Sequence, residues 1–280
     1  MPPFVFCRIT KYWKDYWKKH SYNNIPLPEM LNKLTFKREA EALGIRTAKV
    51  HYSGFINECP RDILSRPDIL IKKLEGKGQV YQQNTQSPTS LLKKWKREKI
   101  IVEEHIKHFT NATQYQIPFD YKIYTFKGEP KYVAIVNRNK NGRKATIYEV
   151  THLLIEVSSQ RDVTYLMGNV NHHKKPLPII SDKESAIPSK KHWDMLLKNA
   201  EKLGKTIFKD VFVRLDFFID KDGPVLCELS PSPKGTWYWW FHQARYGDKK
   251  DNDVWKTHPD KERVLDRLCM EYKIKPSWLS

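Results

Sequence analysis

A chain of 280 residues is long enough for a sizeable core and for one large or two small domains. Its 50 lysines and arginines against 32 aspartates and glutamates leave a net charge of +18, which predicts attraction to polyanions: nucleic acid, a membrane surface, nucleotide phosphates or an acidic substrate. No apolar run reaches the roughly 18 residues of a membrane span. The N-terminus lacks a basic start followed by a long apolar segment, and Cys7, Cys59, Cys227 and Cys269 are scattered without CxxC spacing. The expectation is therefore a cytoplasmic protein without a membrane span, a secretory signal, a zinc site or a disulfide scaffold.

In chain order, residues 11–19 alternate aromatics with lysines, and Tyr12/Tyr16 and Trp13/Trp17 share one helical face. Such a segment either packs with a basic outer face or stacks on RNA bases. Residues 29–43 read as an amphipathic helix ended by Gly44, and residues 46–52 as a short strand. Residues 68–74 are an apolar strand with Lys72 near its end, running into Gly76 and Gly78. Such a turn can set backbone N–H groups and a cation against phosphates, or be an ordinary turn. Residues 90–99 form a lysine-rich helix, and residues 100–106 a strand that carries Glu103 and Glu104. A buried acid is costly without a partner, so at least one of the two faces a ligand or an edge.

Residues 120–138 read as a hairpin whose alternation puts Asp120, Lys122 and Tyr124 on one face. Residues 147–157 and 163–167 are strand-like, and residues 192–207 form a helix carrying Leu196, Leu197, Ala200, Leu203 and Ile207. Residues 213–230 form a second hairpin around an Asp-Lys-Asp-Gly-Pro turn, with Asp216 on one strand and Glu228 on the other. Two adjacent carboxylates repel unless something positive lies between them. A divalent metal there makes an enzyme site; Arg214 and a lysine make a structural ion pair. The aromatic cluster Trp237-Tyr238-Trp239-Trp240-Phe241 is either packing or a stacking platform, and a short helix is expected near residues 260–272.

The order of these features is more specific than any one of them. Ile69-Leu70-Ile71-Lys72, Gly76-x-Gly78, Ile101-Val102-Glu103-Glu104, Asp120-Tyr121-Lys122, Arg138, Ala200-Glu201-Lys202-Leu203, Val213-Arg214-Leu215-Asp216-Phe217 and Cys227-Glu228-Leu229-Ser230-Pro231-Ser232-Pro233-Lys234-Gly235 follow one another in the chain. Together they resemble the ATP-grasp superfamily, most closely its TupA-like branch, named for teichuronopeptide biosynthesis. The resemblance implies an α+β ATP-grasp fold in which two α+β subdomains grip ATP behind an N-terminal helical and α/β segment. The implied boundaries are residues 1–56 for that segment, 57–108 for the small subdomain and 109–280 for the large one.

By the same resemblance, Lys72 looks like the lysine on the α- or β-phosphate, and Gly76 and Gly78 like the loop that covers the phosphates. The stretch of Glu103, Glu104 and Ile106 looks like the linker that reads adenine, with an acid taking its amine. Asp120 is placed like the acid on the ribose, and Lys122 like a second phosphate-binding cation. Arg138, Arg214 and Lys122 are the catalytic candidates. Asp216 and Glu228 match the two magnesium-binding acids, and Ser230 stands where most members have asparagine. The cofactors implied are ATP and Mg2+, and magnesium prefers such oxygen ligands. The implied reaction activates a carboxylate as an acyl-phosphate for attack by an amine, on an acidic acceptor in polysaccharide or peptide modification. A kinase acting on a hydroxyl would share the nucleotide half of the site. A non-catalytic RNA- or polyanion-binding protein would need neither Asp216 nor Glu228.

Overall fold

A computed structural model of the chain describes residues 17–74, 80–82, 95, 97–110, 117–140, 143–144, 151–157, 163–166, 169–170, 176–177, 186–209 and 211–230. Gly76, Gly78, residues 11–16, most of the 90–99 segment, the 237–241 aromatic cluster and residues 260–272 lie outside them.

Four strands form the first sheet: β1 (Val50–Phe55), β2 (Ile69–Lys73), β3 (Val80–Gln82) and β4 (Lys99–Glu104). They are antiparallel in the order β1-β4-β2-β3. Period-two alternation divides its faces. Ile69, Ile71, Ile100 and Val102 pack on Ile56, Leu64 and Trp95. The intervening residues Leu70, Lys72, Ile101 and Glu103 therefore occupy the opposite face.

The second sheet holds β5 (Asp120–Phe126), β6 (Glu129–Asn137), β7 (Thr151–Val157), β8 (Val163–Leu166), β9 (Val213–Asp220) and β10 (Gly223–Ser230), in the order β8-β7-β6-β5-β9-β10. Both anticipated hairpins form. The β5–β6 turn places Lys127 at φ 48° and Gly128 at φ 80°, the paired left-handed residues that suit the twist of a tight hairpin. The β9–β10 turn is tighter than its sequence implied, because Asp220 already pairs with Gly223 and only Lys221 and Asp222 turn. Pro224 is tolerated because β10 is an edge strand.

The helix anticipated over residues 29–43 divides in two. Pro28 suits the start of a short 3-10 segment, Leu27–Leu31. Asn32 then caps α1 (Lys33–Ala42), its side chain accepting from the N–H groups of Leu34 and Thr35 at 3.0 and 3.4 Å. Gly44, at φ 70°, ends α1, with Gly44 N–H donating to Glu41 O and Ile45 N–H to Ala40 O. The following strand starts at Val50, because Arg46 and Thr47 pair elsewhere: Thr47 bridges Leu226 of β10 in parallel.

The long helix is α2 (Lys190–Leu203), capped by Ser189 and prolonged by a wider π-helical turn over Gly204–Phe208. It lays Trp193, Leu196, Leu197, Ala200 and Leu203 into a core shared with Tyr121, Ile123, Leu215 and Phe217 of the second sheet. Gly204 is required by packing: a Cβ there would meet Gly128 O at 2.5 Å. Trp17, from the aromatic–basic segment, is itself core, donating its indole N–H to Phe212 O at 3.1 Å and lying 5.7 Å from the Phe208 ring. Helix α1 serves both sheets. Phe36 and Ala40 join the core of the second, while Lys37 reaches Glu103 of the first. Among the described residues no helix is long and apolar enough to cross a membrane.

Candidate active site

The polar face of each sheet looks into one cavity of about 430 Å3. Lys72, Asp120, Lys122, Arg138, Asp216 and Glu228 line it, with Lys33, His105 and Cys227 beside them.

On the second sheet the charges alternate across neighbouring strands. Arg138 Nε donates to Asp120 Oδ2 at 2.9 Å. Lys122 Nζ lies 3.5 Å from Asp120 Oδ2 and donates to Asp216 Oδ2 at 2.7 Å. Arg214 grips the same carboxylate through Nε on Oδ1 at 2.6 Å and Nη2 on Oδ2 at 2.8 Å. Register explains the row, because Asp216 pairs with Lys122 across the β9–β5 ladder and Asp120 is two residues from Lys122 on the same face. Burial pushes the Asp216 carboxyl up, but Arg214 and Lys122 outweigh it and hold the group below the usual carboxylate range. Asp120 is held low in the same way by Lys122 and Arg138 against its burial.

Asp216 and Glu228 are direct partners across the β9–β10 ladder. A β-bulge makes them so. From the turn to Phe217 and Leu226 the strands pair one to one, and continuing in that register would set Cys227 opposite Asp216. One extra residue shifts the register and brings Glu228 there instead. The two carboxylates are hard-oxygen donors of the kind magnesium takes when phosphates and water complete its shell, whereas Ser230 lies opposite Arg214 across the ladder and does not line the cavity. The chemistry of these two acids would suit the ion, and Asp216 is engaged by Arg214 and Lys122.

On the first sheet Lys72 Nζ donates to Glu103 Oε2 at 2.8 Å, and Lys37 Nζ lies 3.5 Å from Glu103 Oε1. Burial works against both charged forms, yet the pair keeps Lys72 above and Glu103 below their ordinary values. Glu103 is 1% exposed and sits beneath the cavity rather than on its wall. Glu104 is exposed at the end of β4, its N–H donating to Lys49 O. Ile106 packs with Ala48 and Val225. Arg214 lies behind Asp216, also off the wall. Among the linker residues it is His105 that reaches the cavity, its pKa lowered by burial and by Lys107 and Lys72.

Sequence reasoning passed over Lys33, His105 and Cys227. Lys33 had one legible signal: a cation in the first turn of a helix opposes the macrodipole and asks for a reason. Its side chain is buried and approaches Leu74 O at 3.5 Å, and burial lowers its pKa. The Cys227 thiol is pushed up to about 12 by burial, so it stays protonated and is a packing surface rather than a nucleophile.

No protein-family model matches the chain, and no curated protein matches it either. Solved structures do. D-alanine–D-alanine ligase from Bacillus anthracis superposes with a TM-score of 0.50 at 13% identity, over 91% of this chain and 71% of that one. N5-carboxyaminoimidazole synthase from Aspergillus clavatus gives 0.46 at 13% identity, over 77% of this chain and 47% of that one. The ATP-grasp ligase PsnB gives 0.40 at 11% identity, over 73% of this chain and 50% of that one. This chain thus spans about half the length of the latter two. The two α+β lobes and the arrangement shared with the first of these enzymes make this an ATP-grasp fold.

Proposed function

We propose that the chain is an ATP- and Mg2+-dependent ligase that activates a carboxylate as an acyl-phosphate and passes the acyl group to an amine. The supporting observation is the cavity itself, where Lys72, Lys122 and Arg138 from two sheets converge on the Asp216–Glu228 pair. Cations and carboxylates brought together in this way suit a nucleotide's phosphates and the metal that accompanies them.

In this reading Lys72 and Lys122 hold the nucleotide phosphates, with Lys33 lining the same cavity. Gly76 and Gly78, outside the described residues, are assigned to phosphate contact. The linker reads the adenine edge at His105, the residue of the 103–106 stretch that reaches the cavity, and Asp120 takes the ribose hydroxyls. Asp216 and Glu228 hold Mg2+, which when bound supplies charge neutralisation for the transferred phosphoryl group. Arg214 and Lys122, released from Asp216, turn to the phosphate oxygens. Arg138 steadies the substrate carboxylate as its oxygen attacks the γ-phosphorus and ADP leaves. The amine then attacks the acyl carbon, the C–O bond to phosphate breaks, and phosphate departs with the electron pair and takes up the proton that the amine loses.

The net charge of +18 favours an acidic acceptor, such as a uronic-acid polymer, a glutamate-like compound or a peptide, as in the TupA-like branch. Cys59 and Cys227 are free and buried, which supports a reducing compartment such as the cytosol. Incubation with ATP, Mg2+ and pooled acidic metabolites, followed by mass spectrometry, tests the reading. A condensation product formed with ADP supports ligation. An acceptor that gains only a phosphoryl group makes the protein a kinase instead. Salt-sensitive polyanion binding without ATP turnover makes it a binding protein.

A further inference from the structure

Where the two sheets meet, an arginine does work that the proposed reaction leaves unused. Arg46 follows α1 and precedes β1, and its guanidinium spans the tip of the β9–β10 hairpin. Nη2 donates to Asp220 Oδ1 at 2.5 Å and to Gly223 O at 2.6 Å, and Nε reaches Pro224 O at 3.5 Å. Its main chain holds the same strand further along. Leu226 N–H donates to Arg46 O at 2.9 Å, and Thr47 bridges Leu226. The grip therefore runs from the turn to Leu226, the last residue before the bulge, and beyond it come only Cys227 and then Glu228.

The position of that bulge decides which side chain faces Asp216. In the register of the turn it is Cys227, and in the shifted register it is Glu228. One slip exchanges a carboxylate for a thiol. Strand β10 is an edge strand, so its outer side has no further strand of the sheet to set the register; the segment of Arg46 and Thr47 takes that place. We propose that Arg46 is a positioning residue: by clamping the hairpin tip and Leu226 it fixes the bulge at Cys227 and so keeps Glu228 opposite Asp216. This rests on the reading of that pair as the metal-holding carboxylates. It ties the geometry of the pair to α1, which also carries Lys33 and Lys37.

The test uses the full chain and Mn2+ as probe, with ATP affinity measured by calorimetry in chelator and then with Mn2+, alongside the bound-Mn2+ electron paramagnetic resonance line shape. Arg46→Met should leave metal-free ATP affinity unchanged and cut the metal-dependent gain about tenfold, as loss of an outer support of a metal site does. Arg46→Lys should recover part of it, since an ammonium still pairs with Asp220 but cannot fork to the Gly223 carbonyl. Ile219→Val, a core change on the same hairpin that leaves Arg46 in place, should lower the melting temperature and leave both the gain and the line shape alone. Should Arg46→Met fail to fold, Asp220→Asn removes the nearer of the guanidinium's two carboxylate partners, Asp222 lying at 3.8 Å, and should shift the gain in the same direction. If Arg46→Met, or Asp220→Asn in its place, lowers the melting temperature as Ile219→Val does but keeps the full gain, Arg46 is structural only and the proposal falls. A wild-type protein with no metal-dependent gain at all overturns the carboxylate reading itself, and the proposal with it.

Discussion

Arg214 and Asp216 lie two residues apart on one strand, and the guanidinium holds both carboxylate oxygens, at 2.6 and 2.8 Å, while Lys122 takes Oδ2 at 2.7 Å. In the proposed function the acid that would hold the metal is thus paired with one cation on the cavity wall, Lys122, and one behind it, Arg214. Metal and nucleotide should therefore arrive together, because each supplies the charge the other releases.

Asp216→Asn separates these roles. It removes a negative charge from among the phosphate-binding cations, so metal-free ATP should bind roughly a hundredfold more tightly, the scale of one unit charge about 6 Å away at an effective dielectric near 20. The Mg2+-dependent gain should disappear. Calorimetry with and without chelator measures both, and circular dichroism checks the fold. Weaker metal-free binding by the variant would show that Asp216 does not compete with phosphate for Arg214 and Lys122.

Glu103 is the counter-charge for two lysines at once, Lys72 at 2.8 Å and Lys37 at 3.5 Å, all three largely buried. Breaking a buried pair costs more than the pair contributes, because the remaining charge stays unpaired. Glu103→Gln should destabilise the protein by about 3–5 kcal/mol in urea unfolding, whereas Lys37→Met, which leaves the closer Lys72 contact intact, should cost less. Equal losses from the two variants would mean that Lys37 is as important to Glu103 as Lys72.

His108 makes stability depend on pH. It packs between Phe109 and Phe119, with ring centroids at 4.3 and 4.6 Å, and burial pushes its pKa from 6.5 down to about 4. The unfolded chain takes up this proton near pH 6.5 and the folded one only near 4. Stability is thus fully present above the unfolded pKa and is lost as pH falls through that window. Thermal melts at pH 7 and pH 5 should show a decline that His108→Phe flattens, whatever its effect on absolute stability. An unchanged slope in the variant would place the titration elsewhere.

Both hairpins were legible because alternation and turn residues are local signals, and from them came the facing of Asp216 and Glu228. The bulge at Cys227 was not legible: residues 224–229 read the same in either register, and the choice is tied to Arg46, some 180 residues away in the chain. Glu103 and Glu104 were two adjacent acids in sequence, and only the pairing of β4 with β2 distinguishes the buried partner of Lys72 from the exposed neighbour. The helix over residues 29–43 was legible as amphipathic, but the face that carries Lys33 and Lys37 turns toward the first sheet and the cavity, a tertiary fact that periodicity does not encode.

Lys33 allows a test of the phosphate side of the site that keeps both carboxylates in place. It lines the cavity from α1, opposite the ion-paired row on the second sheet, and its nearest hydrogen-bond acceptor is a main-chain carbonyl, Leu74 O, at 3.5 Å. Glu228 and Glu103 attract it only coulombically, without a hydrogen bond to it, so its N–H donors are available to an incoming anion. Hydrogen bonds to charged groups contribute about 1.5–3 kcal/mol, so Lys33→Met should weaken metal-free ATP binding about ten- to a hundredfold. The further gain on adding Mg2+ should survive, because both carboxylates stay in place and Glu228 loses only its coulombic attraction to Lys33. This is the reverse of the Asp216→Asn pattern, and the two variants measured side by side separate phosphate binding from metal binding. If Lys33→Met instead keeps its ATP affinity, the nucleotide phosphates do not lie against α1, and the cavity wall that holds them is Lys72 and Lys122 alone.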